Sequence, residues 1–459
     1  MWLRLFEEAS AIGGIMVKVG IVKKDLESAL KPIKPIREER VEVISLYLTD
    51  GEKECVWSVL DFMDFNLKVV NGIKKAVSEK TGIDIKNVHV LTTHNHGALT
   101  LNNENTLEVA RISAESALEA KRNSKEAKMR YAFTSLKEQV SIIRRKFIPE
   151  INSSTTIYYG ATKEDDFNSA PFVEKAVEKI KEGKLSFFGK METNRPFSPF
   201  DSGDREVFVC QFIDLENKPI GTIARFSAHA VCCNSPEYYS SDYPYHVRKN
   251  FENSFGGTSI FFNGPCADIA PAIANKTSGF EKVLGDLIFE SAIEKIANKE
   301  FKEIKEFNDT NIEIKLKVRK EIIENEVEIN GDLPDDLLER RKYLERISYA
   351  ETLGFLREKY QEGEKELGDK TTVSVGVLRI DNLTLVGFPG ETFSTTAKEV
   401  KEAFLNKEIC TITEHGRTVM YLPPKLECER GGYESVCRVT KEGEEQTLKE
   451  KAILALKEF

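Results

Sequence analysis

The sequence has few histidines, no long apolar run and no excess of positive charge, and each shortage excludes a class of protein. Without an apolar stretch of about 18 residues, no transmembrane helix is expected. The formal net charge of −9 argues against a nucleic-acid partner. Only six histidines occur in 459 residues, so a group of them close together is informative.

The sequence also predicts neither a disulfide framework nor an N-terminal export signal. The eight cysteines have no framework spacing and form no Cys-x-x-Cys motif. Glu7 and Glu8 interrupt the apolar stretch that an N-terminal export signal would need. We therefore predict reduced thiols and a cytoplasmic location, with residues 1–15 as an N-terminal extension and Met16 as an alternative start.

The remaining composition is that of a globular protein, with 41% hydrophobic and 31% charged residues. Strand-like runs such as VEVISLYLTD and EVFVCQFID alternate with helical patterns such as LKVVNGIKKAVSEKTG. This alternation predicts an α/β fold of mixed sheets with flanking helices. We expect one domain over residues 16–459, a helical block over 104–147, and a charged helical insertion at about 300–370.

Side chains that can bind a metal follow several of the predicted strands. His94 and His96 come directly after VHVLTT, His229 follows GTIARF, and Glu391 follows LVGFPG. Open α/β sheets bind ligands beyond the carboxyl ends of their strands, and two imidazoles with one carboxylate are a frequent catalytic zinc set. If the strand continues through TTHNH, His94 and His96 point to the same face.

Each of these residues also has an ordinary structural explanation. A His-x-His pair is a weak indication of a metal site. His229 could be a hydrogen-bonded core histidine, and Glu391 could favour the first turn of the helix ETFSTTAKEVKEAF. His415 fits a surface position. Taken one at a time, the structural explanation is favoured for each residue.

Five segments, in one order, resemble the neutral (non-lysosomal) ceramidases. His94-Asn-His96-Gly resembles their THTHSGP segment, and GTIARFSAHAV is similar to their second-histidine strand. FFNGPCADIAP resembles their GDxSP loop, FPGETF their Pro-Gly-Glu segment, and YLPPKLECERGGYE their C-terminal tyrosine segment. The matches extend from about residue 16 to 440, and chance is a poor explanation for five in order.

The resemblance implies one Zn²⁺ per chain and two groups of site residues. Its metal ligands are the four residues His94, His229, Glu391 and Tyr421. Its substrate-facing residues are the three residues His96, Arg195 and Tyr433. A guanidinium and a phenol can donate hydrogen bonds to an oxyanion, and an imidazole can pass a proton to a leaving amine.

Two departures from the family pattern limit what can be carried over. Ala270 stands where the GDxSP loop has its serine, so a mechanism that needs that hydroxyl is lost, whereas one based on a metal-activated water is retained. The chain also ends soon after the tyrosine segment, which predicts a ceramidase-like catalytic domain without the C-terminal β-sandwich domain. We expect a zinc-dependent amidohydrolase for a small-molecule or lipid-like amide other than ceramide.

Two other functions remain open. One is a cysteine-dependent hydrolase that uses Cys232, Cys233 or Cys266, which would need a thiol with a lowered pKa. The other is a non-catalytic metal-binding relic of the family, in which the missing serine marks a loss of activity. Nothing in the sequence specifies an oligomeric state.

Overall fold

The computed structural model describes residues 16–30, 34–98, 103–157, 178, 181–183, 190–191, 203–233, 237–272, 279–361, 368–404 and 407–459. Its strands are β1 (Lys18–Asp25), β2 (Glu42–Thr49), β3 (Glu54–Leu60), β4 (Val88–Thr92), β5 (Lys125–Ser135), β6 (Ser141–Ile143), β7 (Arg145–Ile148), β8 (Ser153–Ile157), β9 (Lys190–Met191), β10 (Glu206–Asp214), β11 (Pro219–Phe226), β12 (Thr258–Asn263), β13 (Ile269–Pro271), β14 (Lys302–Glu303), β15 (Phe307–Lys317), β16 (Lys370–Ile380), β17 (Leu383–Gly387), β18 (Glu391–Thr392), β19 (Glu408–Ile412) and β20 (Tyr421–Leu422). Its helices are α1 (Leu67–Thr81), α2 (Asn103–Arg122), α3 (Asp242–Ser254), α4 (Phe280–Ile296), α5 (Lys320–Glu324), α6 (Leu337–Gln361), α7 (Ser394–Glu402), α8 (Lys425–Glu429), α9 (Tyr433–Val436) and α10 (Glu444–Glu458).

Two sheets stack face to face and are covered by helices on their outer sides. The larger sheet has the order β12-β11-β10-β5-β1-β2-β3-β4, with β14 on β5, and the smaller one has the order β15-β16-β17-β19. Helices α1 to α4 pack on the outer face of the large sheet, while α7 and α10 pack on the small one. The described residues therefore form an α/β/β/α arrangement, and the predicted α/β class is confirmed.

Strand β2 illustrates why the sequence forms these layers. Its side chains alternate between two cores, since Val43 and Tyr47 contact the helices whereas Ile44 and Leu46 lie between the sheets. A strand buried on both faces has an almost continuous apolar sequence, as VEVISLYL does. Each apolar side chain buried in this way contributes about 1.5–3 kcal/mol.

The parallel strand pairs bring the polar loops to one region. β3 with β4, β11 with β12, and β17 with β19 each run parallel, so the carboxyl ends within each pair lie side by side. Asn263, at the end of β12, joins the edges of the large sheet by donating to the carbonyls of Thr93 (3.1 Å) and Ala228 (2.9 Å). The loops after β4 and β11 are therefore held together.

The predicted helical block over 104–147 is wrong beyond Arg122, where α2 ends and β5 soon begins. β5 pairs with β10 from Ala127 to Ser135, and this long ladder overrides the helical propensity of KEAKMR. The expected insertion at about 300–370 contains β15, which pairs with β16 over its whole length. The proposed domain boundaries stay predictions, and residues 1–15 lie outside the described residues.

Candidate metal centre

The loop after β4 carries His94 and His96, but not on the strand face that we expected. β4 ends at Thr92, and His94 adopts a φ of 55°, in the left-handed region. The prediction that a continuing strand places His94 and His96 on one face is therefore wrong. The two rings are nevertheless neighbours, because the turn brings Nε2 of His96 to 3.5 Å from Nε2 of His94.

Asn95, between the two histidines, fixes this turn. Its side-chain amide donates to the carbonyl of Ser240 (2.7 Å), and its Oδ1 accepts from the N–H of Gly97 (2.9 Å). A Cβ at Gly97 would lie 2.4 Å from the Ser240 oxygen, so only glycine allows the two segments to approach this closely. The Asn-His-Gly order therefore has a structural cause.

Three imidazoles and one carboxylate converge at this end of the sheets. The ligand atoms of His94, His96 and His229 all lie within 4.8 Å of one another. Oε2 of Glu391 lies 3.4 Å from Nε2 of His94 and 3.1 Å from Nε2 of His229. All of these side chains except His96 are buried, so the group is shielded from water.

The outer nitrogens of two rings are anchored to backbone carbonyls. Nδ1 of His94 lies 3.0 Å from the oxygen of Met63, and Nδ1 of His229 lies 2.9 Å from the oxygen of Ile269. A carbonyl partner requires Nδ1 to carry the proton, which leaves Nε2 of a neutral imidazole as a lone-pair donor. Both Nε2 atoms face Glu391.

Glu391 and Tyr421 are neighbours because their strands pair. β18 and β20 run parallel with Glu391 opposite Tyr421. Neither strand exceeds two residues, so propensity alone gave no reason to expect them. The pairing places the Tyr421 phenol on the same face of the two strands as the carboxylate of Glu391. We predicted these two residues as ligands of the same metal ion.

Arg144 is a site residue that the sequence reasoning missed. Its Nη2 donates to the hydroxyl of Tyr421 (2.9 Å), and its Nε donates to Oε1 of Glu434 (2.9 Å). Its guanidinium lies 5.9 Å from the ring of Tyr433, and the two tyrosine rings are 5.3 Å apart. The only sequence indication is the pair of arginines in IIRRKF, in a stretch expected to be helical. The predicted Arg195 lies outside the described residues.

In the metal-free centre, the three histidines differ in the direction in which their pKa values are shifted. Burial lowers the pKa of His94, but the carboxylates of Glu391 and Glu414 outweigh it and raise the pKa to about 9. Burial and the nearby Arg144 lower the pKa of His229 to about 4. Burial and the neighbouring imidazoles hold the pKa of His96 well below its usual value. Without a metal, His94 is therefore the protonated partner of Glu391.

The arrangement fits a divalent transition metal. Imidazole nitrogens and a carboxylate are typical zinc ligands, and a catalytic site combines three protein ligands with one open position. A histidine that binds a metal through Nε2 usually donates a hydrogen bond from Nδ1 to a second partner, as His94 and His229 do here. The described residues thus include a group that could hold a metal ion, with His96 close enough to join it.

The loop after β12 has Ala270 at the position where the ceramidase pattern has a serine. Ala270 is buried in β13 opposite Ile142, and Asp268 accepts hydrogen bonds from the backbone N–H and the hydroxyl of Ser394. Cys266, Cys232 and Cys233 are buried. Burial raises the pKa of these thiols, which is the opposite of what a thiolate nucleophile needs.

A second group of buried histidines joins His89, within β4, to His415, after β19. Nδ1 of His89 is 2.9 Å from Nε2 of His415, and Nε2 of His89 is 2.8 Å from Oδ2 of Asp309. Trp57 stacks on His89 and donates to Asp309 (2.9 Å). We call these four residues the paired-histidine network. His415 is 2% exposed, so its predicted surface position is wrong.

Comparison with known proteins supports the fold. No protein-family model matches the sequence, and no curated protein matches it either. The neutral ceramidase of Pseudomonas aeruginosa superposes with a TM-score of 0.63 at 14% identity, over 97% of this chain and 75% of that one. A ceramidase complexed with C2 superposes with a TM-score of 0.64 at 14% identity, over 97% and 76%.

At this identity the likeness shows the fold, which is that of the neutral ceramidase structures. The predicted fold resemblance is therefore confirmed. In the part of the chain that the structure describes, no helix combines the length and apolar character needed to cross a bilayer. The cytoplasmic location stays a prediction.

Proposed function

We propose that this protein is a zinc-dependent amidohydrolase that cleaves an N-acyl bond. The observation that carries the proposal is the convergence of His94, His229 and Glu391, with Tyr421 paired beside Glu391. When bound, zinc would polarise an acyl carbonyl and lower the pKa of a water toward about 7. The ceramidase-like fold supports an amide substrate.

The chain's own residues have separate tasks in this reaction. Arg144 is buried beside Tyr421 and Tyr433, so its guanidinium can donate to the oxyanion that develops on the carbonyl. Tyr433 offers a phenol for the same oxygen. We retain Arg195 as a predicted substrate contact, and Arg144 takes the role of buried donor in the described part of the site.

His96 is the candidate for proton transfer. It is the more exposed member of the histidine group, and its low pKa keeps it neutral near pH 7. A neutral imidazole can accept a proton and pass it to the leaving amine. This division leaves His94 and His229, whose Nδ1 atoms are anchored, to hold the metal.

Ala270, which has no hydroxyl group, affects which mechanism and which substrate we propose. The described site does not need a hydroxyl at position 270, since the metal ligands and Arg144 lie on other segments. We propose an N-acyl amine, an acylated amino acid or another lipid-like or small amide as the substrate, rather than ceramide.

The test measures amine release from a panel of N-acyl amides by the zinc-loaded protein. Arg144→Gln should lower kcat/KM by about 100- to 1,000-fold, as the loss of one oxyanion donor does, and should leave the zinc content unchanged. Arg145→Gln is the matched control, because Arg145 also pairs with Glu434 but has no described contact with Tyr421.

Equal losses in the two arginine variants would assign Arg144 a structural role only. Stoichiometric zinc without turnover of any amide in the panel would contradict the proposed reaction and favour a metal-binding protein without activity. Turnover that survives chelation but not thiol alkylation would favour the cysteine-dependent alternative.

A further inference from the structure

A cavity of about 850 Å³ lies behind α9, and residues of α5, α6 and α8 line its walls. Ser435 and Val436 of α9 also line it. The same four-residue helix begins at Tyr433. Tyr433, whose ring lies 5.3 Å from that of Tyr421, is therefore two residues along the chain from Ser435 in the cavity wall.

Two guanidiniums point into this cavity without a carboxylate partner. Arg319 lies over the ring of Tyr349, 3.7 Å from its centre, and its Nη1 has only the carbonyls of Val436 (3.3 Å) and Arg438 (3.5 Å) as acceptors. Arg438 donates only to the backbone carbonyl and the hydroxyl of Ser435. Within the described ranges, neither arginine forms an ion pair.

Buried polar atoms in the same place lack hydrogen-bond partners. Tyr349 is 4% exposed, and its hydroxyl has no partner in the described structure. Nε of Arg438 is also buried and unpaired. A buried donor without an acceptor is unfavourable, so an acceptor supplied by a ligand would stabilise both groups.

Two of the carboxylates that line the cavity are engaged by other groups. Glu345 accepts from Arg341 and from the N–H of Gly432, while Glu324 pairs with Lys320 at the exposed rim. Glu321 attracts Arg319 without an ion pair, and burial together with Arg438 lowers the pKa of Arg319 to about 10. The wall as a whole carries seven basic and seven acidic side chains, so the positive charge is local to Arg319 and Arg438, which have no carboxylate partner in the described part of the chain.

We propose that Arg319, Arg438 and Tyr349 form a binding site for a small molecule that carries a phosphate or carboxylate group. Guanidiniums match the planar oxygens of both groups, and a phenol can donate to the same oxygen. Because binding is measured directly, the proposal does not depend on the hydrolase assignment.

The test is calorimetric titration of inorganic phosphate, and separately of acetate, into the full-length protein. Wild type should show saturable binding that weakens with added salt. Arg438→Gln should weaken it by about tenfold or more, since a charge-assisted hydrogen bond is lost. Tyr349→Phe keeps the ring beneath Arg319 and should weaken binding by about threefold to tenfold.

Lys320→Gln is the matched control, because it removes one positive charge from the rim of the same cavity. It should change the affinity by less than about twofold, as an exposed ion pair contributes little. Urea unfolding of each variant confirms that the fold is retained. Absence of saturable binding of both anions up to about 10 mM would overturn the proposal, as would equal weakening by Lys320→Gln and Arg438→Gln.

Two sources of the anion can be separated by competition in the same titrations. If the group belongs to the substrate, an N-acyl amino acid should displace phosphate at a lower concentration than acetate does, whereas the matching neutral N-acyl amine should not displace it. If it belongs to a separate molecule, the N-acyl amino acid should compete no better than acetate. Both results retain the site, and phosphate binding by a protein without amidase activity would refute the proposed function alone.

Discussion

The candidate metal centre and the paired-histidine network use the same residue types in different ways. Both combine buried imidazoles with a carboxylate. In the metal centre, Nδ1 of His94 and of His229 is bonded to the backbone, while the Nε2 atoms converge on Glu391. In the network, one ring nitrogen of His89 is bonded to His415 and the other to Asp309.

The two clusters contain the same residue types, so the difference lies in the hydrogen bonds of the histidine ring nitrogens. These bonds determine which cluster has nitrogens available for a metal ion. Both ring nitrogens of His89 are hydrogen-bonded, so neither is available to bind an ion. Nε2 of His415 is also unavailable, because it is bonded to His89. The sheet makes room for this closed arrangement, since a Cβ at Gly376 would lie 2.5 Å from Nε2 of His415. We expect the network to stabilise the fold and the metal centre to perform chemistry.

The largest expected effect separates the two clusters by zinc content and activity. His229→Ala should reduce zinc from about one per chain to near zero, and it should lower amide hydrolysis by more than about 1,000-fold, because metal stabilisation of the transition state is lost. His415→Ala should keep its zinc. Elemental analysis of the purified variants checks this, and zinc loss in His415→Ala would break the comparison.

A smaller effect, on the free energy of unfolding, should have the opposite distribution. His415→Ala leaves a cavity and removes the partner of the buried His89, so it should cost about 3 kcal/mol. His96→Ala in zinc-free protein should cost less than about 1 kcal/mol, since that side chain is partly exposed. Urea unfolding with chelator present measures both, and similar costs would mean that the two clusters are equally structural.

The smallest effect concerns the pH dependence of stability in zinc-free protein. The folded-state pKa of His94 is raised from 6.5 to about 9. Its stabilisation is therefore complete below pH 6.5 and is lost as the pH rises through about 9. We expect a loss of about 2–3 kcal/mol between these values.

Glu391→Gln is the control for this pH dependence, because it removes the main charge that raises the pKa of His94. That variant should lose less stability than wild type from pH 6.5 to 9, and its remaining loss is assigned to Glu414, a buried carboxyl whose pKa is raised to about 8. His415 should contribute nothing in this range, since burial holds its pKa well below 6.5 and its stabilisation is lost only as the pH falls. A flat wild-type profile would refute the His94–Glu391 ion pair.

The sequence predicted elements with a strong local pattern more reliably than those made by pairing. α1 was predicted from its periodicity and from the glycine that ends it, and Gly82 does adopt the left-handed cap conformation with φ of 76°. β5 was misread as helix because its ladder partner, β10, lies about 80 residues away in sequence. Pattern alone cannot weigh such a distant partner.

For the site, residue types predicted the candidate metal ligands but not the residues around them. His94, His96, His229 and Glu391 were singled out from their places after strands and from the family resemblance, and the fold brings them together. Arg144 was missed because a buried arginine is defined by its partners, Tyr421 and Glu434, which lie far along the chain.

The sequence by itself determined the α/β alternation and the identity of the side chains that follow the strands, since both depend on local periodicity and residue chemistry. Only the tertiary structure decided which nitrogens stay available to a ligand and which are consumed by hydrogen bonds. The reason is that a histidine's capacity to bind a metal depends on the second partner of its ring, and for both clusters that partner comes from a segment distant in the chain.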